Sequence, residues 1–306
     1  MFLNKSIVIA ALARDCANSI IKNKIIIEEL RGFFKESHVV IIENDSKDNT
    51  KQVLKDYACK FSNVHILSKD FNNKFPFNYC GKAKYSGMST QRIARMIYVR
   101  NILLNYIKEN FSSDYILFID IDIQWFSPYG IINAIKNAPD NWGALFANGH
   151  YNITCGKITK AWPLQYDVYA YLEKGRTMQS VTISENSPLK RIFIAKKIND
   201  DINSNKYLEV TSAFGGIGIY KAEAISQISY EINAPGEWNK SNMCLCEHIG
   251  FNSKISAQGY KLFISQDLEC IYGTFEKNKI MMVIMYKFPR LYSFLSLAKT
   301  FIKNIF

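Results

Sequence analysis

The fold of this chain is decided by residues 115–123, which read Tyr115-Ile116-Leu117-Phe118-Ile119-Asp120-Ile121-Asp122-Ile123. The unbroken apolar and aromatic run predicts a strand that is buried on both faces, as in the centre of a helix-covered sheet. The strand period of two places Asp120 and Asp122 on the same side. Neighbouring carboxylates repel each other in a partly dry site, and a divalent cation between them removes that repulsion. Hard oxygen ligands favour Mg2+ or Mn2+, although a strand end that simply meets water is the alternative.

Composition predicts a folded globular protein with an anionic partner. The chain has 306 residues, of which 48% are hydrophobic and 14% aromatic, so one large or two small domains can bury a sizeable core. Its 38 basic and 27 acidic residues give a net charge of +11. That excess suits nucleic acid, an acidic membrane surface or a phosphorylated substrate, and the sign alone does not choose among them.

Cysteine usage and the N-terminus favour a cytosolic protein. The seven cysteines form no C-x-x-C pair and no zinc-ligand spacing, so we interpret them as reduced thiols. Residues 7–13 resemble the core of a signal peptide, but the apolar stretch is short and Arg14-Asp15 follows at once, so secretion is not expected. No window approaches the ~18 apolar residues of a spanning helix, so no transmembrane segment is expected.

The first third of the chain alternates between strand and helix patterns. Strands are predicted at residues 6–12, 38–42 and 63–67, and helices at 18–34 and 51–57. Strands separated by helices predict a parallel sheet with right-handed crossovers. Ligands of such sheets bind beyond the carboxyl ends of the strands, where residues 11–15, 43–48 and the two aspartates follow strands.

The polar turn at residues 43–48 carries two candidate ligand contacts. Glu43 and Asp45 suit hydrogen bonds to a nucleobase N–H or to a ribose hydroxyl. Ser46 or Asp48 is the predicted N-cap of the following helix, and a structural cap is the favoured role of Asp48.

Residues 68–90 and the helix after them supply the next candidates. The segment 68–90 is rich in turn residues, and its length predicts a functional or mobile lid. Residues 90–109 have helical spacing and carry three arginines. The planar fork of Arg100 suits a diphosphate, whereas Arg92 and Arg95 are predicted to lie on a solvated face.

The second half offers a glycine segment, an aromatic cluster and a late helix. Gly215, Gly216 and Gly218 lie within four residues, which permits a close approach of backbone to a ligand or forms a β-bulge. A cluster that contains Trp162, Tyr166, Asp167, Tyr169 and Tyr171 suits an acceptor sugar, or forms ordinary core. Glu247 and His248 precede the predicted helix 249–258, where both could accept a proton; a capping acid and a core histidine are the alternatives.

These segments, taken in order, resemble the Cap59-like α-mannosyltransferase family and the wider GT-A glycosyltransferases. The similarity covers roughly residues 5–273 and is carried by residues 43–50, Arg100-Asn101, residues 117–122, 166–169 and 211–220, and Cys246-Glu247-His248. The resemblance implies one GT-A domain, an α/β fold with a mixed, mainly parallel sheet flanked by helices. It implies Mn2+ or Mg2+ on Asp120 and Asp122, and an acceptor contact or base at Glu247.

Further positions follow from the resemblance and from the strand ends. The nucleotide-sugar contacts are predicted at Ala11, Arg14, Glu43, Asp45, Arg100, Asp120, Gly215 and Gly216. The chain departs from the GT-A pattern at His248, which stands where an aspartate is usual, so either Glu247 or His248 is the catalytic residue. No histidine follows His248, and Asp267, Glu269 or water would complete the metal coordination.

The C-terminal segment has a different character. We divide the chain into a GT-A domain at 1–275 and a tail at 276–306, in which lysines interleave with apolar residues. The tail predicts a basic amphipathic helix on an anionic membrane, interrupted near Pro289; a docked helix or a dimer contact is the alternative. A membrane-bound tail implies a lipid-linked acceptor.

The sequence therefore predicts a metal-dependent glycosyltransferase, cytoplasmic or peripheral on the inner face of a membrane. Its donor would be a GDP- or UDP-linked sugar, with mannose favoured by resemblance, and its acceptor a surface glycan or lipid-linked saccharide. The competing class is a basic nucleotide- or nucleic-acid-binding protein. Nucleic acid is not the expected partner, because the basic residues are spread out rather than clustered with stacking aromatics. A phosphohydrolase would need more acid and histidine ligands.

Overall fold

The computed structural model describes residues 2–276 and the isolated positions Ile284, Phe288 and Leu291. The strands are β1 Leu3–Ala13, β2 Phe34–Asn44, β3 Val64–Lys69, β4 Tyr115–Asp120, β5 Trp125–Phe126, β6 Trp142–Cys155, β7 Ile158–Gln165, β8 Leu172–Glu173, β9 Tyr207–Ser212, β10 Ile217–Lys221 and β11 Lys261–Glu276. The α-helices are α1 Ala17–Arg31, α2 Thr50–Lys60, α3 Thr90–Asn110, α4 Pro128–Lys136, α5 Pro188–Ser204, α6 Ala222–Ile225, α7 Glu237–Lys240 and α8 Glu247–Ala257. Apart from residue 276 and those three positions, the predicted tail lies outside the described residues.

One mixed sheet organises the described part of the chain. Its strand order is β3-β2-β1-β4-β10-β6-β11-β9-β8. In addition, β5 pairs with β11, and β7 pairs with β6. The strands β3, β2, β1 and β4 run parallel, as the alternation of strands and helices predicts. β10 runs antiparallel between β4 and β6, and β6 is parallel to β11. The predicted fold class, a mixed α/β sheet with flanking helices in a single domain, is confirmed.

Strand β4 lies inside the sheet, between β1 and β10, because its side chains are apolar on both faces. Leu117 is 0% exposed on one face and Phe118 is 1% exposed on the other. The predicted strand through residue 123 is too long, however. β4 ends at Asp120, and Asp122 lies in a turn that is closed by a hydrogen bond from Ile123 N–H to Asp120 O (3.2 Å).

The strand period divides the core into two layers. Val8 and Ala10 point from β1 toward α3 and α8, whereas Ile7 and Ile9 point toward α1, α2 and α4. Each layer is continuous along the sheet, so both faces are covered by helices. This leaves the carboxyl ends of β1, β2 and β4 as the open edge.

The glycine segment after β9 approaches another strand. Gly215 (φ 65°) and Gly216 (φ 93°) have left-handed backbones that disfavour side chains. A Cβ on Gly149 would lie 2.1 Å from Gly215 O, and a Cβ on Gly215 would lie 2.2 Å from Ala147 O. The close approach is therefore made to the backbone of β6, which favours the structural alternative over a ligand contact.

Several helix boundaries differ from the predicted ones. Helix α1 ends at Arg31 rather than at residue 34, because Phe34 is the first residue of β2. The N-cap of α2 is Asn49 rather than Ser46 or Asp48, although Asp48 Oδ1 accepts a hydrogen bond from Thr50 N–H (2.9 Å). Helix α8 starts at Glu247, two residues earlier than predicted, so Glu247 and His248 lie in its first turn. The seven cysteines are free thiols, as predicted. Within the described part of the chain, no helix has the length and apolar character needed to cross a bilayer.

Candidate active site

A cavity of about 1060 Å³ opens beyond the carboxyl ends of β1, β2 and β4. It is lined by the predicted residues Arg14, Arg100, Asp120, Asp122, Tyr166, Asp167, Glu247 and His248. These residues come from five separate regions of the chain, and the sheet topology brings them to one edge, as expected for parallel α/β sheets. The cavity is therefore the candidate active site.

The two aspartates at the end of β4 face the cavity, and burial raises the pKa of both carboxyl groups. Burial raises the pKa of Asp120 to about 7, against the opposing effect of Arg100 and with a further contribution from Asp122. Asp122 has an accessible surface, but neighbouring protein atoms still desolvate its carboxylate and raise its pKa. The backbone N–H of Asp122 itself donates to its carboxylate and opposes that rise. Among the side chains that the structure describes, none forms an ion pair with either carboxylate.

A buried amide holds the turn that carries Asp122. Asn23 of α1 is 0% exposed, and its Nδ2 donates to Ile121 O (2.9 Å) and Ile123 O (2.7 Å). These bonds satisfy two carbonyls on either side of Asp122 and fix the direction in which the turn leaves the strand. The sequence did not predict this role. Asn23 is a single polar residue on an apolar face of α1, and the helical pattern does not show what its side chain contacts.

The donor set fits a divalent cation in part. Asp120 and Asp122 supply hard oxygen ligands whose negative charge is otherwise poorly compensated, which suits Mg2+ or Mn2+. No group of three or more His, Cys, Asp or Glu side chains able to hold a metal is found among the described residues. Asp267 and Glu269 do not line the cavity, so the structure does not support them as further ligands. A cation bound by the two aspartates would need further ligands from outside the protein, such as phosphate oxygens and water.

Arg100 and Glu247 form a buried ion pair in the cavity wall. Arg100 Nε donates to Glu247 Oε1 at 3.0 Å, and the residues are 5% exposed each. Burial opposes ionisation of Glu247, but Arg100 outweighs it and holds the pKa of Glu247 below its usual range. The pair joins the middle of α3 to the first residue of α8, so a contact 147 residues apart in sequence fixes the guanidinium beside the aspartates.

His248 is buried and neutral. Its ring stacks on Phe214 (centroids 4.0 Å apart, 13° between planes), and neither ring nitrogen has a hydrogen-bond partner among the described residues. Burial, with help from Arg100 and against Glu247, lowers the pKa of His248 to about 3. A group with so low a pKa is a poor proton acceptor at neutral pH.

This state of His248 predicts a pH dependence of stability. The unfolded chain takes up the proton near pH 6.5 and the folded protein only near pH 3, so stability falls as the pH drops through that window. Between pH 7 and pH 5 the loss due to His248 is about 2 kcal/mol. We expect His248→Phe to reduce the difference in unfolding free energy between these two pH values by that amount, measured by urea denaturation. An unchanged difference would contradict a neutral, buried His248.

Five of the predicted nucleotide-sugar contacts lie outside the cavity lining: Ala11, Glu43, Asp45, Gly215 and Gly216. Glu43 is fully buried, and its carboxylate accepts hydrogen bonds from Ser46 N–H (2.9 Å) and Ser68 Oγ (2.6 Å). Asp45 accepts from Asn72 N–H (2.8 Å), and Ala11 lies in the core. The structure thus gives Glu43 and Asp45 the structural task of holding the polar turn, and it favours Asn44, which does line the cavity, as the neighbouring ligand contact.

Two of the three predicted acceptor residues, Tyr166 and Asp167, line the cavity. Tyr166 stacks on Tyr272 (centroids 3.8 Å apart), and both line the cavity. Burial raises the pKa of Asp167 to about 6, and Ala170 N–H donates to Asp167 Oδ1 (3.3 Å). Trp162 lies on β7, but its side chain is outside the described residues.

Sequence reasoning missed several basic residues of the cavity. The residues concerned are Lys84, Arg92, Arg95 and Arg191. Arg92 is exposed, as predicted for a solvated face, although it also lines the cavity. The prediction is wrong for Arg95, which is half-buried and lies with its guanidinium 5.1 Å from the ring centroid of Phe75. The one available signal was spacing: Arg92, Arg95 and Arg100 all lie on one broad face of a helix.

The comparisons with known proteins can be set against this geometry. The model of the family described as Cryptococcal mannosyltransferase 1 matches residues 6–248, from β1 to the first turn of α8. The chain belongs to this mannosyltransferase family. The match includes the predicted site residues from Ala11 to His248, and it confirms the resemblance stated from the motifs. No curated protein matches the chain.

The solved structures that match the chain have low sequence identity to it. The mannosyltransferase PcManGT from Pyrobaculum calidifontis, in complex with GDP-Man and Mn2+, is 14% identical, with a TM-score of 0.46 over 88% of this chain and 57% of that one. TarS 1–349 of S. aureus is 13% identical, with a TM-score of 0.44 over 88% and 60%. Its complex with UDP-GlcNAc is 15% identical, with a TM-score of 0.42 over 90% and 60%. This chain thus spans less than two thirds of the length of each of these three proteins.

Proposed function

We propose that this protein is a metal-dependent glycosyltransferase that moves a sugar, with mannose favoured, from a GDP- or UDP-linked donor to an acceptor hydroxyl. The observation that carries the proposal is the single cavity in which Asp120, Asp122, Arg100 and Glu247 meet. Membership of a mannosyltransferase family supports the same activity. The acceptor we propose is a surface glycan or a lipid-linked saccharide.

Asp120 and Asp122 would hold the cation, since they lie two residues apart at the end of β4 and both line the cavity. A bound Mn2+ or Mg2+ would supply charge stabilisation for the diphosphate leaving group. Arg100 lies close enough to oppose the raised pKa of Asp120, so its charge also acts on a diphosphate held at that carboxylate. Fixed charges in a partly dry cavity stabilise developing negative charge without reorganisation.

Glu247 and Asp167 divide the roles at the acceptor hydroxyl. Glu247 stays ionised and is fixed by Arg100, which suits it to orient a hydroxyl by accepting its hydrogen bond. Asp167, with a pKa of about 6, is better matched to accept a proton near neutral pH. Tyr166 and Tyr272 provide an aromatic surface next to Asp167 on which a sugar ring can pack.

A lipid-linked acceptor and a place on the inner face of a membrane remain proposals. They are supported by the net charge of +11 and by the basic, apolar composition of residues 277–306. Cytoplasmic exposure is supported by seven free cysteines.

The proposal is tested by thermal stability in the presence of nucleoside diphosphates and nucleotide sugars, with and without Mn2+. A ligand that binds only the folded protein stabilises it by about 2.7 kcal/mol at 100 times its dissociation constant. We expect one nucleotide to raise the melting temperature only with Mn2+, and Asp122→Ala to abolish the shift. A shift with short nucleic acids and with none of the nucleotides would contradict the proposal and favour a basic nucleic-acid-binding protein.

A further inference from the structure

One wall of the cavity carries positive charge that the protein itself does not neutralise. Lys84, Arg92 and Arg95 line it, and among the described residues none of the three has a carboxylate within ion-pair distance. Arg92 Nη1 donates to Gly87 O (2.9 Å), which leaves the rest of its fork available. Arg95 Nε is buried and has no hydrogen-bond partner in residues 2–276. Buried donors of this kind are normally satisfied, so this wall is suited to an anionic ligand.

This basic wall belongs to the acceptor side of the cavity. The start of α3 is attached to the segment that leads into α8, through hydrogen bonds from Thr90 N–H to Asn242 O (3.0 Å) and from Cys244 N–H to Met88 O (3.2 Å). Tyr169 Oη donates to Cys244 O (2.5 Å). Burial raises the pKa of Tyr169, and Arg92 is close enough to oppose that rise. The wall therefore neighbours Tyr169, which follows the proposed acceptor residues.

The basic wall is also separate from the charges at the diphosphate position. Arg92 and Arg95 precede Arg100 by eight and five residues of α3, which is about 12 Å and about 7.5 Å along the helix axis. Arg100 is paired with Glu247, and Arg191 is electrostatically coupled to Asp167. The cavity of about 1060 Å³ slightly exceeds the usual size for one small ligand, so two substrates fit.

We propose that the acceptor carries a phosphate or carboxylate group, which Arg92 and Arg95 bind with the help of Lys84. This inference rests on the proposed transferase function and narrows its acceptor to an anionic saccharide. Guanidinium forks match the two oxygens of either group, and Lys84 adds a point charge.

Calorimetric titration of the full-length protein with mannose 6-phosphate, glucuronic acid and mannose tests the inference. Each sugar is titrated with and without the stabilising nucleotide and Mn2+. We expect the wild type to bind at least one of the two anionic sugars about tenfold or more tightly than mannose, and the two anionic probes separate a phosphate site from a carboxylate site. Arg92→Gln/Arg95→Gln is expected to remove that preference while changing nucleotide affinity less than about twofold.

Two further variants control for charge and geometry. Lys22→Gln/Lys35→Gln removes the same charge from exposed positions outside the cavity, and we expect it to keep the preference. Arg92→Lys/Arg95→Lys keeps the charge without the forks and is expected to retain part of it. Equal affinity for mannose and both anionic sugars, or a loss of nucleotide affinity instead of sugar affinity, would overturn the inference. A wild type that binds no nucleotide would contradict the proposed function, while the titrations without nucleotide still decide the inference.

Discussion

Sugar transfer is expected to fall by about 10³-fold when Asp120 is replaced by Asn, because the substitution removes one of the two carboxylates proposed to hold the cation. Asn keeps the size of the side chain but not its charge. The protein itself is not expected to lose stability, since burial already raises the pKa of Asp120 to about 7 and a neutral group relieves repulsion with Asp122. Activity and stability are thus expected to move independently at this position.

Release of nucleoside diphosphate, followed over a range of Mn2+ concentrations, measures the effect. The donor is the nucleotide sugar selected by the thermal-shift experiment, and the melting temperature of each variant is recorded in parallel. Asp140→Asn is the matched control, because Asp140 is exposed and lies outside the cavity. An Asp120→Asn enzyme within tenfold of wild type would remove Asp120 from the proposed metal site.

Local patterns were sufficient to predict the centre of the sheet and the edge at which the site lies. The apolar run before Asp120 is buried on both faces only if the strand lies inside the sheet, between other strands. The carboxyl ends of parallel strands lie at the same edge of the sheet, which predicts the position of the site. The path of the chain after the strand was less predictable. The alternating pattern of the sequence predicts that the strand continues through Asp122. In the structure, hydrogen bonds from Asn23 of α1 to Ile121 O and Ile123 O hold Asp122 in a turn.

Partners from distant segments account for the wrong assignments. Glu43 has the right position for a nucleobase contact, but Ser68 on the adjacent strand and Ser46 in the turn occupy its carboxylate. Arg95 has the pattern of a solvated residue, but Phe75 from the segment before α3 packs against its guanidinium (5.1 Å to the ring centroid), and both residues line the cavity. Periodicity describes one segment at a time, so it does not contain these contacts.

The unfolding free energy falls by about 3–5 kcal/mol when Arg100 is replaced by Met, because Glu247 is left buried without its partner. His248 does not compensate, since it is neutral at the pH of the experiment. Without Arg100 the pKa of Glu247 is expected to rise above that of the unfolded chain, so stability is then lost as the pH rises. In the wild type the lowered pKa of Glu247 has the opposite effect. The difference between the two proteins should therefore grow from pH 5 to pH 8.

Urea denaturation at the two pH values measures this difference, and Arg176→Met is the control. Arg176 pairs with Glu185 at 2.9 Å, but the side chains are 34% and 24% exposed, so its loss is expected to cost about 1 kcal/mol or less. Arg100→Met/Glu247→Gln should regain much of the stability, because no unpaired charge remains buried. If Arg100→Met costs no more than Arg176→Met, Glu247 is hydrated in the folded protein. The Arg100–Glu247 pair would then serve to position the two side chains for substrate rather than to hold α3 against α8.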